Sequence, residues 1–330
     1  MVPRMPQSKN MRRDDPALKA HRQAIRLRLG RASMQRAGPG SVTWKVNREI
    51  VVVAGWGRAI LMQLAHPLVA AGVSDHSSFN RGLASSLGRL VSTIGAMLSL
   101  TFGSDAEAID AAAGINRIHD RVLGHLPERG GAFAEGTPYS AHEAELLRWV
   151  HLTLLESIPL TYELLVSPLS PEELDRYCEE AAIMEPLLDI PPGTLPRRWS
   201  EVSPAIGAIV ERQHVARTSR TRALGRDVLF PRGSAPLWPA LRPVRLITIG
   251  LLSPTFRDIY GFSWTARDAG ALRRWATAIQ TVRRGLPAFC REWPSARRAR
   301  ASAHLCSSAR PLPISLWWQR LRSPSNRHTR

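Results

Sequence analysis

The run Ser140-Ala141-His142-Glu143-Ala144-Glu145-Leu146-Leu147-Arg148-Trp149-Val150-His151-Leu152-Thr153-Leu154-Leu155-Glu156-Ser157-Ile158 decides the fold class. It opens on a serine followed three residues later by a glutamate, a pair whose side chains satisfy the free amides at a helix start. Behind it, Leu147, Val150, Leu154 and Ile158 recur at three- and four-residue intervals, which puts them on one face of an α-helix. The same pattern returns at Ser104-Asp105-Ala106-Glu107 and Thr265-Ala266-Arg267-Asp268. In Ser170-Pro171-Glu172-Glu173 it carries a proline at the first helical position, where the missing N–H sacrifices no hydrogen bond. Leu83, Leu87, Leu90, Ile94 and Met97 form a second apolar stripe. No alternating strand pattern, Asn-Gly hairpin or fixed repeat is visible, and Pro/Gly clusters at 38–40, 130–138, 190–196 and 230–243 read as loops between helices. The expectation is a single all-α, globin-like multi-helix domain over residues 41–293.

Composition agrees with a folded body. The chain has 330 residues, 44% hydrophobic and 22% charged, enough for a large core and too apolar for wholesale disorder. Its net charge of +18 is concentrated at the ends: residues 1–40 hold ten Lys/Arg and two Asp, and residues 295–330 hold eight Arg and no acid. The presumptive core is therefore nearly neutral. The segment 1–40 reads as a flexible basic arm and 294–330 as a disordered Arg/Ser/Pro-rich tail, both open to non-specific polyanion contact. Three cysteines, Cys178, Cys290 and Cys306, are far apart and form no CxxC pair, which excludes a disulfide scaffold and a zinc ribbon. Arg12-Arg13 is followed by acids and a charged stretch rather than the apolar core of an export signal. The apolar run from Ile50 to Val73 is interrupted by Arg58, Gln63 and His66, so no transmembrane segment is expected and a cytoplasmic protein is the default.

Three histidines fall on apolar helical faces: His66 between Met62 and Val69, His119 between Ile115 and Val122, and His151 between Leu147 and Leu155. Each, taken alone, reads as a core histidine whose ring nitrogens are satisfied by hydrogen bonds or as a ligand; three together point to a buried site that binds something. Only Glu211-x-x-His214 fits the di-iron bundle pattern, and no zinc-protease, nucleophile-elbow or Walker motif is present. A haem asks for little more than one axial nitrogen and apolar walls. Arg89 and Thr93, four apart on an apolar helix, would project from one face. They read either as a structural pair or as groups beside a haem propionate or an oxygen species.

A series of segments in order gives the chain a family likeness: Gly57 to Val73, Arg89 with Thr93, Phe102-Gly103, His119-Asp120-Arg121-Val122-Leu123-Gly124, Tyr139-Ser140-Ala141, Trp149 to Leu154, Pro168-Leu169-Ser170, and Arg257 to Trp264. Over about residues 45–295 the chain resembles the haem-dependent oxygenases that include the latex-clearing rubber oxygenases and the fungal oxygenase of mycophenolic acid biosynthesis. The resemblance implies a helical fold enclosing a b-type haem, with dioxygen as co-substrate. It makes His119 the axial ligand to iron, through the His-x-x-Val-x-Gly segment, and places Arg89 and Thr93 on the distal side as catalytic groups. His66 and His151 also fall in family-typical segments as haem-site candidates without an assigned role. A lysine that precedes the threonine in rubber oxygenases is Ser92 here, so the rubber-specific closure of the iron does not carry over. The chemistry implied is cleavage of a carbon–carbon double bond in an apolar, isoprenoid-like small molecule, with any electron donor unknown. Two other readings stand beside it: a haem-binding sensor or carrier without turnover, and a helical module that binds polyanions through its basic tails.

Overall fold

A computed structural model describes residues 15–30, 38–76, 83–231 and 233–308, without the side chains of residues 83–87, 89 and 304–308. The chain forms α1 (Pro16–Leu29), α2 (Val42–Asn47), a 3₁₀ turn at Ile50–Gly55, α3 (Trp56–Leu64), α4 (Pro67–His76), α5 (Leu83–Phe102) and α6 (Asp105–His119). A hairpin of β1 (Leu123–His125) and β2 (Pro138–Ser140) follows, then α7 (Ala144–Leu165), α8 (Pro171–Ala181), α9 (Met184–Leu188) and α10 (Trp199–Glu211). The last elements are α11 (Ser219–Leu229), α12 (Trp238–Leu251), α13 (Pro254–Tyr260), α14 (Ala266–Gly285), α15 (Ala288–Arg291) and α16 (Pro294–Ser308). The all-α class is as expected.

Helix α7 is the spine. Trp149, Leu152, Leu155, Ile158, Tyr162 and Leu165 are buried along it, and so are His151, Thr153, Ser157 and Thr161, so burial runs nearly all the way round. A helix apolar on more than one face belongs at the centre of a domain. The largest core cluster joins these residues to α3, α8, α10 and α12 to α14. Close approach is made possible at Gly55, where a β-carbon would lie 2.0 Å from Thr161 Oγ1. Arg58 on α3 is buried and fully occupied: it donates to Leu251 O (2.7 Å), Ser157 Oγ (2.7 Å) and Glu156 Oε2 (2.5 Å). Among the described residues no single helix is long and apolar enough to cross a membrane; the apolar pair Ile50–Leu64 and Pro67–His76 is bent by 106°.

Several expectations need correction. Capping boxes form at Ser104–Glu107, Ser170–Glu173 and Thr265–Asp268. The fourth, Ser140–Glu143, is instead a turn: Ser140 ends β2, its N–H donates to Glu143 Oε1 (2.7 Å), and α7 starts one residue later. The three-residue strands, antiparallel with Gly124 opposite Tyr139, are too short to show alternation in sequence. The arm 1–40 is not flexible throughout. Residues 16–29 form α1, with Leu18 and Ile25 buried against α6 and α9. Two of its arginines are paired with acids: Arg22 with Asp110 (2.7 Å) and Arg28 with Asp189. A charge count alone hides that apolar pair seven residues apart. The tail likewise begins as a helix, α16, whose Ala296 packs with Trp44 and Phe102; residues 309–330, including Trp317-Trp318, lie outside the described residues.

Candidate active site

Helices α5 and α6 are joined only by Gly103 and Ser104 and pack on one another as antiparallel neighbours. At 1.5 Å per residue, Arg89 lies about 20 Å from the α5 end of that connection and His119 about 21 Å from the α6 end. Topology therefore carries Arg89 and His119 to the same level, with Thr93 one turn nearer the connection. Around this open end, large apolar side chains face water: Leu90 is 37% exposed, Val91 50%, Ile118 63% and Leu123 60%. Thr93 is exposed as well, and Ser92 beside it. The Arg89 backbone is helical, and its side chain lies outside the described residues.

His119 is the last residue of α6. Its Nδ1 is buried without a hydrogen-bond partner, and its ring meets His142 edge-on at 5.8 Å between centroids. Burial first, and then the neighbouring His142, push its pKa down to about 4, so the ring is neutral near pH 7. Asp120, which caps α6, turns away from His119: Oδ2 accepts from His21 Nε2 and Oδ1 from His142 Nε2, both at 2.8 Å. Burial works to raise the Asp120 pKa, and these two hydrogen bonds outweigh it, leaving the carboxyl below its usual range. The carboxylate thus ties α1 and the segment before α7 to the base of His119. Sequence reading missed His21 and His142, which lie 99 and 22 residues from Asp120; the only signal available was that both precede or sit in elements that must pack on α6.

The other two histidines occupy separate surroundings. His66, at the break between α3 and α4, is 3% exposed, with Nδ1 unpartnered and its ring among Phe133 (5.1 Å), His214 (6.0 Å) and Trp149 (6.5 Å). Burial, reinforced by His214, lowers its pKa to about 3. His151 on α7 is buried and its ring makes no hydrogen bond among the described residues; burial lowers its pKa to about 4 against an opposing pull from Glu185. It lines a crevice of about 850 Å³, open solvent at its mouth included, whose walls include Val52, Trp56, Met97, Phe102, Leu155 and Trp293. The crevice meets α5 at Ile94, the residue after Thr93. His66, His119 and His151 are thus not brought together. Among the described residues no group of three or more His, Cys, Asp and Glu is arranged to hold a bare metal ion.

A haem makes a smaller demand: one neutral imidazole nitrogen and apolar surface for its faces. The open end of the hairpin meets it, since His119 is neutral with a buried unpartnered nitrogen and Leu90, Val91, Ile118 and Leu123 stand exposed nearby. No curated protein and no solved structure matches the chain. Residues 44–281 match the family described as ER-bound oxygenase mpaB/B'/rubber oxygenase, catalytic domain. That match covers most of the chain, all of α3 to α13 and every histidine discussed except His21. The protein therefore belongs to the mpaB/rubber oxygenase family of catalytic domains and is an oxygenase, an enzyme that takes dioxygen and a small-molecule substrate.

Proposed function

We propose that this oxygenase works with haem b and cleaves a carbon–carbon double bond in an apolar, isoprenoid-like substrate, with His119 holding the iron. The observation that carries the reading is the open end of the α5–α6 hairpin: a neutral histidine with an unpartnered buried nitrogen, level with Arg89, beside apolar side chains left in water. Exposed apolar side chains grouped at one place mark a surface that something covers. His119 would hold such a group, and Leu90, Val91, Ile118 and Leu123 would offer it apolar surface.

Haem, when bound, supplies an iron able to activate dioxygen; the chain supplies orientation, charge and dryness. His119 contributes the neutral imidazole nitrogen, held in place by the packing of α6 and by the Asp120 clamp on His21 and His142. Arg89 stays cationic at any relevant pH, so it can pair with a propionate carboxylate or steady negative charge on oxygen. Thr93, on the same helix face, can donate a hydroxyl hydrogen bond. The crevice that Ile94 helps to line offers apolar wall to a hydrocarbon chain at Val52, Trp56, Met97, Phe102 and Leu155. Overall, one dioxygen and one double bond yield two carbonyl groups, each taking one oxygen atom, so the balance needs no external electron donor.

The test is incubation of haem-loaded protein with unsaturated isoprenoids under ¹⁸O₂. Pairs of carbonyl products, each carrying one heavy oxygen when trapped before exchange, are expected; absence of dioxygen uptake with every unsaturated substrate would overturn the reading. Arg89→Ala is expected to keep haem and lose most of the product.

A further inference from the structure

We propose that the crevice beside His151 recognises a neutral hydroxyl group on an otherwise apolar ligand, so that the substrate is an isoprenoid alcohol rather than a bare hydrocarbon, an acid or an amine. The inference rests on the reading above in taking the crevice as the substrate's place, and goes beyond it in naming the group that the protein selects. Two polar side chains in the crevice wall are left without a partner among the described residues. His151 is 7% exposed and its ring makes no hydrogen bond; Thr43 is 8% exposed and its Oγ1 is buried unpartnered. Burying a polar group without a hydrogen bond costs stability, and a ligand that supplies the missing bond recovers it.

The charges around these two groups decide what that ligand carries. Glu49 and Glu180 also line the crevice, and among its described lining residues there is no lysine or arginine. A carboxylate or a phosphate ester would meet two like charges and no cation. Neither acid is free to hold an ammonium group. Arg283 grips Glu49 through hydrogen bonds of 2.7 and 2.5 Å, and Glu180 accepts from the amides of Val42 (3.2 Å) and Thr43 (2.7 Å). His151 is itself uncharged near pH 7, because burial lowers its pKa to about 4. A neutral imidazole has one N–H donor and one bare nitrogen, and a hydroxyl is likewise both donor and acceptor, so the two match in either orientation. An ether can only accept, and leaves the bare nitrogen unpaired. Apolar wall at Val52, Met97 and Leu155 takes the hydrocarbon part.

Isothermal titration calorimetry of the full chain tests the proposal with four probes that share one hydrocarbon skeleton: geraniol, its methyl ether, geranic acid and geranylamine. Geraniol is expected to bind tightest. The decisive quantity is the preference for geraniol over the ether, compared between the wild type and each variant, because apolar burial cancels in that cycle. The preference should fall by about ten-fold in His151→Leu and by about three-fold in Thr43→Val, the upper and lower ends of what one hydrogen bond contributes. Both replacements nearly conserve volume, and melting temperature checks that each variant folds. Should His151→Leu fail to fold, Thr43→Val and the four probes on the wild type decide. An unchanged preference in the folded variants, tighter binding of the acid or the amine, or binding of none of the probes would overturn the proposal. Haem content, read on the same samples, separates this claim from the one it rests on. A haem-free chain that still selects the alcohol contradicts only the haem assignment. A haem-loaded chain that cleaves both alcohol and ether, and binds them equally, contradicts only the hydroxyl selection.

Discussion

The spine around α7 and the open end of the α5–α6 hairpin obey different rules. Around α7, packing and hydrogen bonding account for most of what is seen: Trp149, Leu152 and Leu155 are buried, and the charge of Arg58 is met by three oxygens. The His66 and His151 rings are buried there too, among largely apolar neighbours, and no large apolar side chain of α7 stands in water. At the open end the same physics leaves a remainder. Apolar side chains stand in water and a buried imidazole nitrogen goes unpartnered. Core regions minimise such remainders, so a cluster of them marks where a ligand completes the structure.

The contrast can be broken most severely at Arg58. Arg58→Met removes one partner of a buried ion pair and leaves Glu156 and Leu251 O short of a donor; a loss of about 3 kcal/mol is expected in urea unfolding. A loss below about 1 kcal/mol would mean that the spine is less tightly determined than its contacts imply. The buried histidines give a pH test. His66 and His151 hold folded-state pKa values of about 3 and about 4, below the unfolded value of 6.5. The unfolded chain therefore binds more protons below pH 6.5. Stability is full above that pH and falls as pH drops toward 4, by up to about 1.4 kcal/mol per pH unit for each histidine. His151→Gln should flatten this slope, as read from urea midpoints between pH 7 and 4.

At the open end, stability should respond least. His119→Ala is expected to change unfolding by about 1 kcal/mol or less, because its nitrogen has no protein partner to lose. Thr93→Val, at an exposed helical position, should stay within about 0.5 kcal/mol, while product yield falls. If Thr93→Val retained full turnover, Thr93 would belong with the ordinary surface and the contrast would narrow to His119 and Arg89.

Much of the fold was legible. Helix α7 could be read from its periodicity, although its deepest side chains, Trp149, Leu152 and Leu155, lie off the stripe Leu147–Val150–Leu154–Ile158, because a central helix buries more than one face. Three capping patterns fold as written. The fourth does not, since Ser140 is already engaged in a strand pair with Leu123, seventeen positions back. Helix α1 was masked by its charge. His119 was legible as one of three histidines on apolar helical faces and was singled out only by the family resemblance; its level with Arg89 follows from counting residues either side of Gly103. The Asp120 clamp was not legible, because it joins side chains from three elements through tertiary packing.

The central claim is that His119 binds haem b. It is tested most directly by visible absorption spectra, oxidised and reduced, with a pyridine haemochrome assay, on the full chain and on His119→Ala, His151→Ala and His66→Ala. The expected result is about one b-type haem per chain with a strong Soret band, lost in His119→Ala and kept in the other two variants. Full haem occupancy in His119→Ala would contradict the account and move the ligand to whichever variant loses colour. A chain that takes up no haem at all would refute it.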